Sequence, residues 1–223
     1  MDLTDLANQC GTDKGNKCLN RHHYTRIYSE LFEPIRYKPI RLLEIGLLHI
    51  DDPARTSGFP KCPSLLMWGK YFPNAEIFGF DIEDFSAVTM PRTRIFQGNS
   101  SHRDDLHAFL AESGGSFDVI IDDASHASHH QQIALATLFP DVVPGGLYII
   151  EDLHWQDPTQ ELPGVTKTKT ILRRLSAEMG LACPYISDRE ANYLTNHTEY
   201  VDIYDSKSPD CGEALAIIHK RLT

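Results

Sequence analysis

The order of apolar segments is the feature that most restricts the fold of this 223-residue chain. Seven short apolar segments have the length and composition of β-strands, and stretches with helical periodicity separate the first five. This alternation predicts a doubly wound α/β fold with a mostly parallel, seven-stranded, Rossmann-like sheet. Only residues 205–213 separate the last two strands, too few for a crossover helix, so these strands are predicted to form an antiparallel C-terminal hairpin. The predicted strands cover residues 40–45, 76–81, 93–96, 117–122, 146–151, 200–204 and 214–219.

The helical stretches complete the predicted architecture. They cover residues 24–36, 64–72, 103–112, 129–139 and 166–180. Internal repeats and a linker between domains are absent from the sequence, so we expect one domain over residues 1–223. The first 36 residues precede the first strand, and we expect them to form a helical extension or lid over the sheet or a site.

The charge balance restricts the partners. The chain carries 31 acidic and 21 basic residues, a net charge of −10, and no clustered basic patch, which argues against a nucleic-acid partner. No apolar stretch approaches the ~20 residues that span a bilayer, so no membrane partner is expected. The N-terminal residues lack the features of a signal peptide, and the five cysteines are scattered and odd in number. These features together indicate a cytoplasmic protein with reduced thiols.

Carboxylates follow four of the five predicted parallel strands. Because ligands of open α/β sheets bind beyond the carboxyl ends of the strands, these residues are candidates for a site. The preference of Asp and Asn for turns explains any single one of them, but it explains four of five poorly. The strand ends carry Glu44 and Gly46, then Asp81, then Gln97, then Asp122 and Asp123, and finally Glu151 and Asp152.

The first two strand ends indicate a nucleoside cofactor. An acidic residue after the second strand, here Asp81, commonly accepts hydrogen bonds from a ribose diol. A dinucleotide fold would show a G-x-G-x-x-G loop after the first strand, whereas this chain has the single Gly46. The pattern therefore disfavours NAD and favours an adenosine ligand without phosphates, with S-adenosylmethionine as the candidate.

The fourth and fifth strand ends indicate a metal site. Adjacent strands lie roughly 5 Å apart, so Asp123, Glu151 and Asp152 can converge beyond them. Clustered carboxylates require a cation, and hard oxygen ligands suit Mg²⁺, with Ca²⁺ or Mn²⁺ as alternatives. Glu151 and Asp152 can share a metal only if the chain leaves the extended conformation there. His126 follows Asp123 by three positions, and a histidine beside such a metal is the predicted general base.

The same residues belong to motifs of a known family. The most specific stretches are 121–126, which ends in Asp-Asp-Ala-Ser-His, and 145–153, which contains Glu-Asp. With 11–15, 23–25, 43–46, 51–53, 64–65, 71–73 and 79–81, they resemble the metal-dependent class I sugar O-methyltransferases of natural-product biosynthesis, of the macrocin and mycinamicin type. The resemblance covers about residues 11–155.

The resemblance implies S-adenosylmethionine and Mg²⁺ as cofactors and a glycosylated natural product, as in antibiotic biosynthesis, as the small-molecule acceptor. It implies Asp123, Glu151 and Asp152 as metal ligands, His126 as the base, and Glu44 and Asp81 as cofactor contacts. Gly46, Ser64, Gln97 and Asp122 are further predicted cofactor-binding residues. It also implies a homo-oligomer. We expect the loops 48–63 and 154–166 to line the acceptor pocket.

Three alternatives remain open from the sequence. A catechol or other phenol would present two adjacent oxygens to the metal as well as a sugar does. Metal-dependent hydrolysis could use the same carboxylates and histidine, without binding S-adenosylhomocysteine. The family usually has Gly-Gly pairs where this chain has Leu-Leu-His at 47–49 and Lys-Cys-Pro at 61–63, a departure that favours a non-catalytic cofactor-binding subunit.

Overall fold

The computed structural model describes residues 1–17, 22–47, 61–177, 180–205 and 214–223. Seven strands within these ranges form one sheet, and each begins or ends close to its predicted position. The strands are β1 (Arg41–Ile45), β2 (Glu76–Asp81), β3 (Thr93–Gln97), β4 (Phe117–Asp122), β5 (Val142–Ile150), β6 (Thr198–Asp205) and β7 (Ala214–Lys220). Their spatial order is β3-β2-β1-β4-β5-β7-β6. The first five are parallel, and β7 pairs antiparallel with both β5 and β6. The predicted fold class is confirmed.

Seven α-helices lie in the described ranges. They are α1 (Leu3–Cys10), α2 (Thr25–Phe32), α3 (Pro63–Tyr71), α4 (Arg103–Ser113), α5 (Ser128–Leu138), α6 (Thr168–Ser176) and α7 (Asp188–His197). Single 3₁₀ turns, Glu33–Ile35 and Phe139–Asp141, follow α2 and α5. No helix in this part of the chain combines the length and the apolar character that a membrane crossing requires.

Two apolar clusters cover the two faces of the sheet. The first three helices supply one cluster, in which Tyr28 and Phe32 of α2 pack against Trp68 of α3 with ring centroids 5.5 and 5.6 Å apart. The last four helices supply the other cluster, centred on residues such as Phe109 and Leu135. Because both faces are buried, β4 is almost continuously apolar along its length. The N-terminal helices are therefore part of one layer of the domain.

The sheet register brings the carboxyl ends of four strands into one row. Ile45 pairs with Phe80 and with Asp122, and Asp122 pairs in turn with Ile150. The residues that follow this row are Gly46, Asp81, Asp123 and Glu151. The polar residues predicted from separate strand ends thus lie along one edge.

Gly46 permits the closest approach at this edge. Its φ of +87° is in the left-handed region, and a Cβ built there would lie 2.2 Å from the backbone oxygen of Asp123. Any side chain at this position would collide with the β4 end. Gly46 therefore lets the turns after β1 and β4 pack directly against each other.

Candidate functional site

A cavity of about 320 Å³ lies at this edge of the sheet. Among its lining residues, Gly46, Ser64 and Asp81 come from the turns after β1 and β2 and from the start of α3. A second group, Asp123, His126 and Asp152, comes from the turns after β4 and β5. One cavity is therefore lined both by Asp81, the residue predicted to bind a ribose, and by most of the residues predicted to bind the metal or to act as the base.

Asp81 is held in place by backbone amides. Its Oδ2 accepts a hydrogen bond from the Leu47 amide at 2.6 Å, and its Oδ1 accepts one from the Glu83 amide at 2.8 Å. Each carboxylate oxygen has about two acceptor sites, so one amide does not exhaust it. The side chain is thus fixed by the turns after β1 and β2 while it lines the cavity.

Three of the predicted cofactor-binding residues do not line the cavity. The Gln97 amide nitrogen donates to the backbone oxygen of Ile82 at 3.1 Å, and Asn99 lines the cavity two positions later. Asp122 is buried below the cavity, and burial raises its pKa to about 6. Glu44 is 0% exposed, behind Gly46. For these three residues, cofactor binding stays a prediction from the sequence.

Asp123, His126 and Asp152 form the candidate metal cluster of the described residues. Each offers a ligand atom, and these atoms lie within 4.8 Å of one another. The His126 Nε2 lies 3.6 Å from the Asp152 Oδ2. The two carboxylates of this cluster supply the hard oxygen ligands that Mg²⁺ and Mn²⁺ prefer, and the imidazole lies beside them.

Two residues of this cluster have unusual backbones. His126 has φ +58° and Asp152 has φ +53°, a region that residues other than glycine seldom occupy. At Asp152 the chain leaves the extended conformation of β5, which is the condition required for the adjacent carboxylates to face the same edge. Such costly conformations concentrate at functional sites.

Glu151 contacts the N-terminal segment in this structure. Its Oε1 accepts a hydrogen bond from the Tyr28 hydroxyl, and its Oε2 lies 2.7 Å from the Lys14 Nζ. Burial raises the pKa of Glu151, while Lys14 and Tyr28 act in the opposite direction. Glu151 is therefore beside the metal cluster, and its role as a ligand stays a prediction.

Asp152 also contacts the N-terminal segment. Tyr24 donates its hydroxyl proton to the Asp152 Oδ1 at 2.5 Å, and the Asp152 amide donates to the same hydroxyl at 3.2 Å. The His22 Nδ1 lies 3.4 Å from the Asp152 Oδ1. Our sequence reasoning missed Lys14, His22 and Tyr24 as parts of the site, although the motifs 11–15 and 23–25 had singled out their neighbourhood.

The loop after β5 places an exposed aromatic ring beside His126. Trp155 is 48% exposed, and its ring lies edge-to-face with the His126 ring at a centroid distance of 5.5 Å. The backbone amide of Trp155 donates to the Asp152 oxygen at 3.0 Å. Of the loop 154–166, Gln160 lines the cavity, and a role of this loop in acceptor binding stays a prediction. Most of the loop 48–63 and the motif 51–53 lie outside the described residues.

Several curated proteins are similar in sequence to this chain. It is 38% identical over 211 residues to mycinamicin VI 2''-O-methyltransferase of Micromonospora griseorubida, covering 91% of this chain and 50% of that protein. It is 32% identical over 213 residues to demethylmacrocin O-methyltransferase of Streptomyces fradiae, covering 91% of this chain and 51% of the relative. A tetracenomycin rhamnosyl 3'-O-methyltransferase of Streptomyces olivaceus is 36% identical over 187 residues, with coverages of 84% and 45%. The chain thus spans about half the length of the curated relatives it matches.

The fold comparison agrees with the sequence comparison. The structure of the MycE methyltransferase of the mycinamycin pathway, in complex with Mg, S-adenosylhomocysteine and mycinamycin VI, superposes with a TM-score of 0.73 at 28% identity. The match covers 99% of this chain and 55% of that one. No protein-family model matches the chain. By sequence and by fold, this chain belongs to the family of sugar O-methyltransferases of natural-product biosynthesis.

Proposed function

We propose that this chain transfers a methyl group from S-adenosylmethionine to a sugar hydroxyl of a glycosylated natural product, with a divalent metal as cofactor. The observation that carries the proposal is the single cavity, which has Asp81 among its lining residues together with Asp123, His126 and Asp152. Support also comes from the relatives, since the names of three of them state O-methyl transfer in tetracenomycin, mycinamicin or macrocin chemistry.

The turns after β1 and β2 fit an adenosine cofactor. Asp81 is fixed by two backbone amides and retains acceptor sites for the two hydroxyls of a ribose. Gly46 lines the start of the cavity and lets the turns after β1 and β4 pack directly against each other there. Ser64, at the first turn of α3, adds a hydroxyl to the same wall.

The donor set at the other strand ends fits a divalent metal. Asp123 and Asp152 would hold it, since both line the cavity and offer oxygens within 4.8 Å of each other. When bound, the metal supplies Lewis-acid polarisation, which lowers the pKa of an acceptor hydroxyl and fixes its direction. Glu151 would join these ligands from beside the cluster, where Lys14 and Tyr28 each contact one of its two oxygens.

His126 is the proposed general base. Its Nε2 faces the Asp152 carboxylate, which can stabilise the imidazolium that forms when the ring takes the hydroxyl proton. The left-handed backbone of His126 directs the ring into the cavity wall, where it is 13% exposed. The methyl donor is already activated, so positioning of the acceptor oxygen supplies much of the rate increase.

Trp155 is the proposed acceptor platform. An exposed indole beside the base offers an apolar face against which a sugar ring can pack. The backbone hydrogen bond from Trp155 to Asp152 fixes this platform relative to the metal cluster.

Thermal unfolding with S-adenosylhomocysteine tests the proposal. The protein is heated with this nucleoside alone, with Mg²⁺ added, and with EDTA added. A ligand at a hundred times its dissociation constant contributes about 2.7 kcal/mol, or a few degrees for a chain of this size. We expect a shift with the nucleoside and a further shift with Mg²⁺ that Asp123→Ala removes. No shift with the nucleoside would contradict methyl transfer and favour the hydrolase or the partner subunit.

A further inference from the structure

A lysine from the N-terminal segment lies among three carboxylates, those of Glu44, Asp123 and Glu151. The Lys14 Nζ lies 2.5 Å from the Asp123 Oδ2, 2.7 Å from the Glu151 Oε2 and 3.3 Å from the Glu44 Oε1. Its side chain is 1% exposed. Lysines are almost never fully buried unless they are paired, so this environment is a specific one.

Hydrogen bonds of the Lys14 backbone restrict the position of its side chain. The Lys14 amide donates to the Thr12 hydroxyl at 3.4 Å, and the Lys14 oxygen accepts from the Thr25 amide, at the start of α2, at 3.1 Å. Gly15 follows in close contact with α1, since a Cβ there would lie 2.7 Å from the Asn8 Oδ1 and 3.1 Å from the Ala7 Cβ. The backbone amide and the backbone oxygen of Lys14 are thus both hydrogen-bonded to residues next to α1 or at the start of α2.

The three carboxylates have different relations to the cavity. Glu44 and Glu151 are fully buried, contact the ammonium and do not line the cavity. Asp123 is 22% exposed and lines the cavity. One of its oxygens is taken by Lys14, and an oxygen of the same group lies within 4.8 Å of ligand atoms on His126 and Asp152. The ammonium therefore fixes the rotation of the exposed carboxylate.

We propose that Lys14 is a positioning residue, whose buried ammonium orients the Asp123 carboxylate toward the metal cluster. The inference rests on the proposed function, because it assigns a purpose to that orientation. Groups that hold a metal ligand in place commonly change metal affinity by 10- to 100-fold when they are removed. Lys14 acts through Asp123 and does not line the cavity.

The chain offers a matched control. Lys220 is also buried, and its Nζ donates to the backbone oxygens of Phe139, Pro140 and Val142. These partners precede or begin β5, at the edge of the sheet opposite to the cavity. Lys220→Met therefore removes a buried ammonium without touching the carboxylates.

The test compares Mn²⁺ binding by the full chain and its Lys14→Met and Lys220→Met variants. Free Mn²⁺ is measured by electron paramagnetic resonance, without methyl donor or acceptor, and S-adenosylhomocysteine binding is measured in parallel. We expect Lys14→Met to weaken Mn²⁺ binding 10- to 100-fold and to change nucleoside binding much less, because Asp81 keeps both of its backbone contacts. Lys220→Met should match the wild type in both assays. Wild-type or tighter Mn²⁺ affinity in Lys14→Met would overturn the proposal.

A second variant covers a Lys14→Met protein that does not fold. Lys14→Gln keeps a polar side chain at the same buried position but removes the ammonium and shortens the reach toward the Asp123 carboxylate. We expect weaker Mn²⁺ binding in this variant too, and an unchanged affinity would count against the proposal.

Crystal structures without metal separate this proposal from the proposed function. If the wild type takes up no Mn²⁺, the metal part of the proposed function fails. The Asp123 side chain still decides the role of Lys14. We expect it to rotate away from its wild-type position in Lys14→Met, or in Lys14→Gln if Lys14→Met does not fold, and an unchanged rotamer would refute the positioning role.

Discussion

The protonation of Glu44 depends on the fold. Burial raises its pKa from 4.5 to about 7, against the opposing charge of Lys14. The folded protein keeps a proton on Glu44 that the unfolded chain releases between these two values. Its contribution to the free energy of unfolding is therefore complete below pH 4.5 and is lost as the pH rises to 7.

The pH dependence of unfolding tests this assignment. Glu44→Gln cannot titrate, so the wild type should lose about 3 kcal/mol relative to this variant between pH 4.5 and 7.5. The measurement is urea unfolding of both proteins across this range, with EDTA present. Parallel pH profiles of the two proteins would contradict a raised pKa at Glu44.

His126 is predicted to affect turnover without affecting the cofactor. A general base typically contributes 10²- to 10⁴-fold, so His126→Ala should lose methyl transfer to this extent. Binding of S-adenosylhomocysteine should persist, because Asp81 and Gly46 are unchanged. His107→Ala is the control, since that side chain is exposed on α4. Near-normal turnover of His126→Ala would show that the base assignment is wrong.

Single residues differ in how well the sequence predicted their place in the site. Asp81, Asp123 and Asp152 directly follow or end strands, and strand ends can be recognised from local patterns. Lys14 contacts carboxylates that lie 109 and 137 positions away in the chain. No local pattern reports such a contact, and the usual exposure of lysine argues against it.

The bounds of a strand or helix were predicted well where the apolar pattern and the flanking residues indicate the same structure. β2 and β4 have the predicted bounds because their apolar runs are flanked by clear breaks. β5 begins at Val142, four residues before its predicted start, since Pro144 and Gly145 resemble a turn in the sequence. α2 ends at Phe32, earlier than predicted, because Pro34 converts the next turn to a 3₁₀ helix. α1 lies in the extension 1–36, which was predicted to be helical without separate bounds. α7 was not predicted, although Ser187 and Glu190 form a capping box at its start.

The turn after β1 should tolerate no side chain. Gly46→Ala would place a Cβ 2.2 Å from the Asp123 oxygen at a positive φ, so we expect a loss of about 2–4 kcal/mol in unfolding free energy. Gly69→Ala, in α3 with nothing within 4 Å, should instead stabilise the protein by about 0.5–1 kcal/mol. Urea unfolding measures both. Equal stability of the two variants would contradict the close approach.

The N-terminal helices α1 and α2 pack in the same apolar cluster as α3 on one face of the sheet. We propose that they belong to the same folding unit as the sheet within a single domain, with the extension closing the site as a fixed wall. Thr12 lines the cavity, and Tyr24 and Tyr28 hold Asp152 and Glu151. A freely opening lid would break these buried contacts each time it moved.

Hydrogen exchange distinguishes a wall from a lid. The Tyr28 amide donates to the Tyr24 oxygen at 2.9 Å, within the packed start of α2. We expect its protection to approach that of β4 amides such as Ile120, since local opening would expose the same core. Exchange that is orders of magnitude faster at Tyr28 than at Ile120, without cofactor, would identify a lid.

The junction between Lys14 and the carboxylates has a consequence for protein engineering. Residues 12–28 supply the groups that hold the acidic cluster, while residues 123–152 supply the cluster itself. A chimaera that takes one of these segments from a relative and keeps the other joins two surfaces that were never selected together. Segment exchange among these enzymes should therefore move both segments as one unit, even though more than a hundred residues separate Lys14 from Asp123.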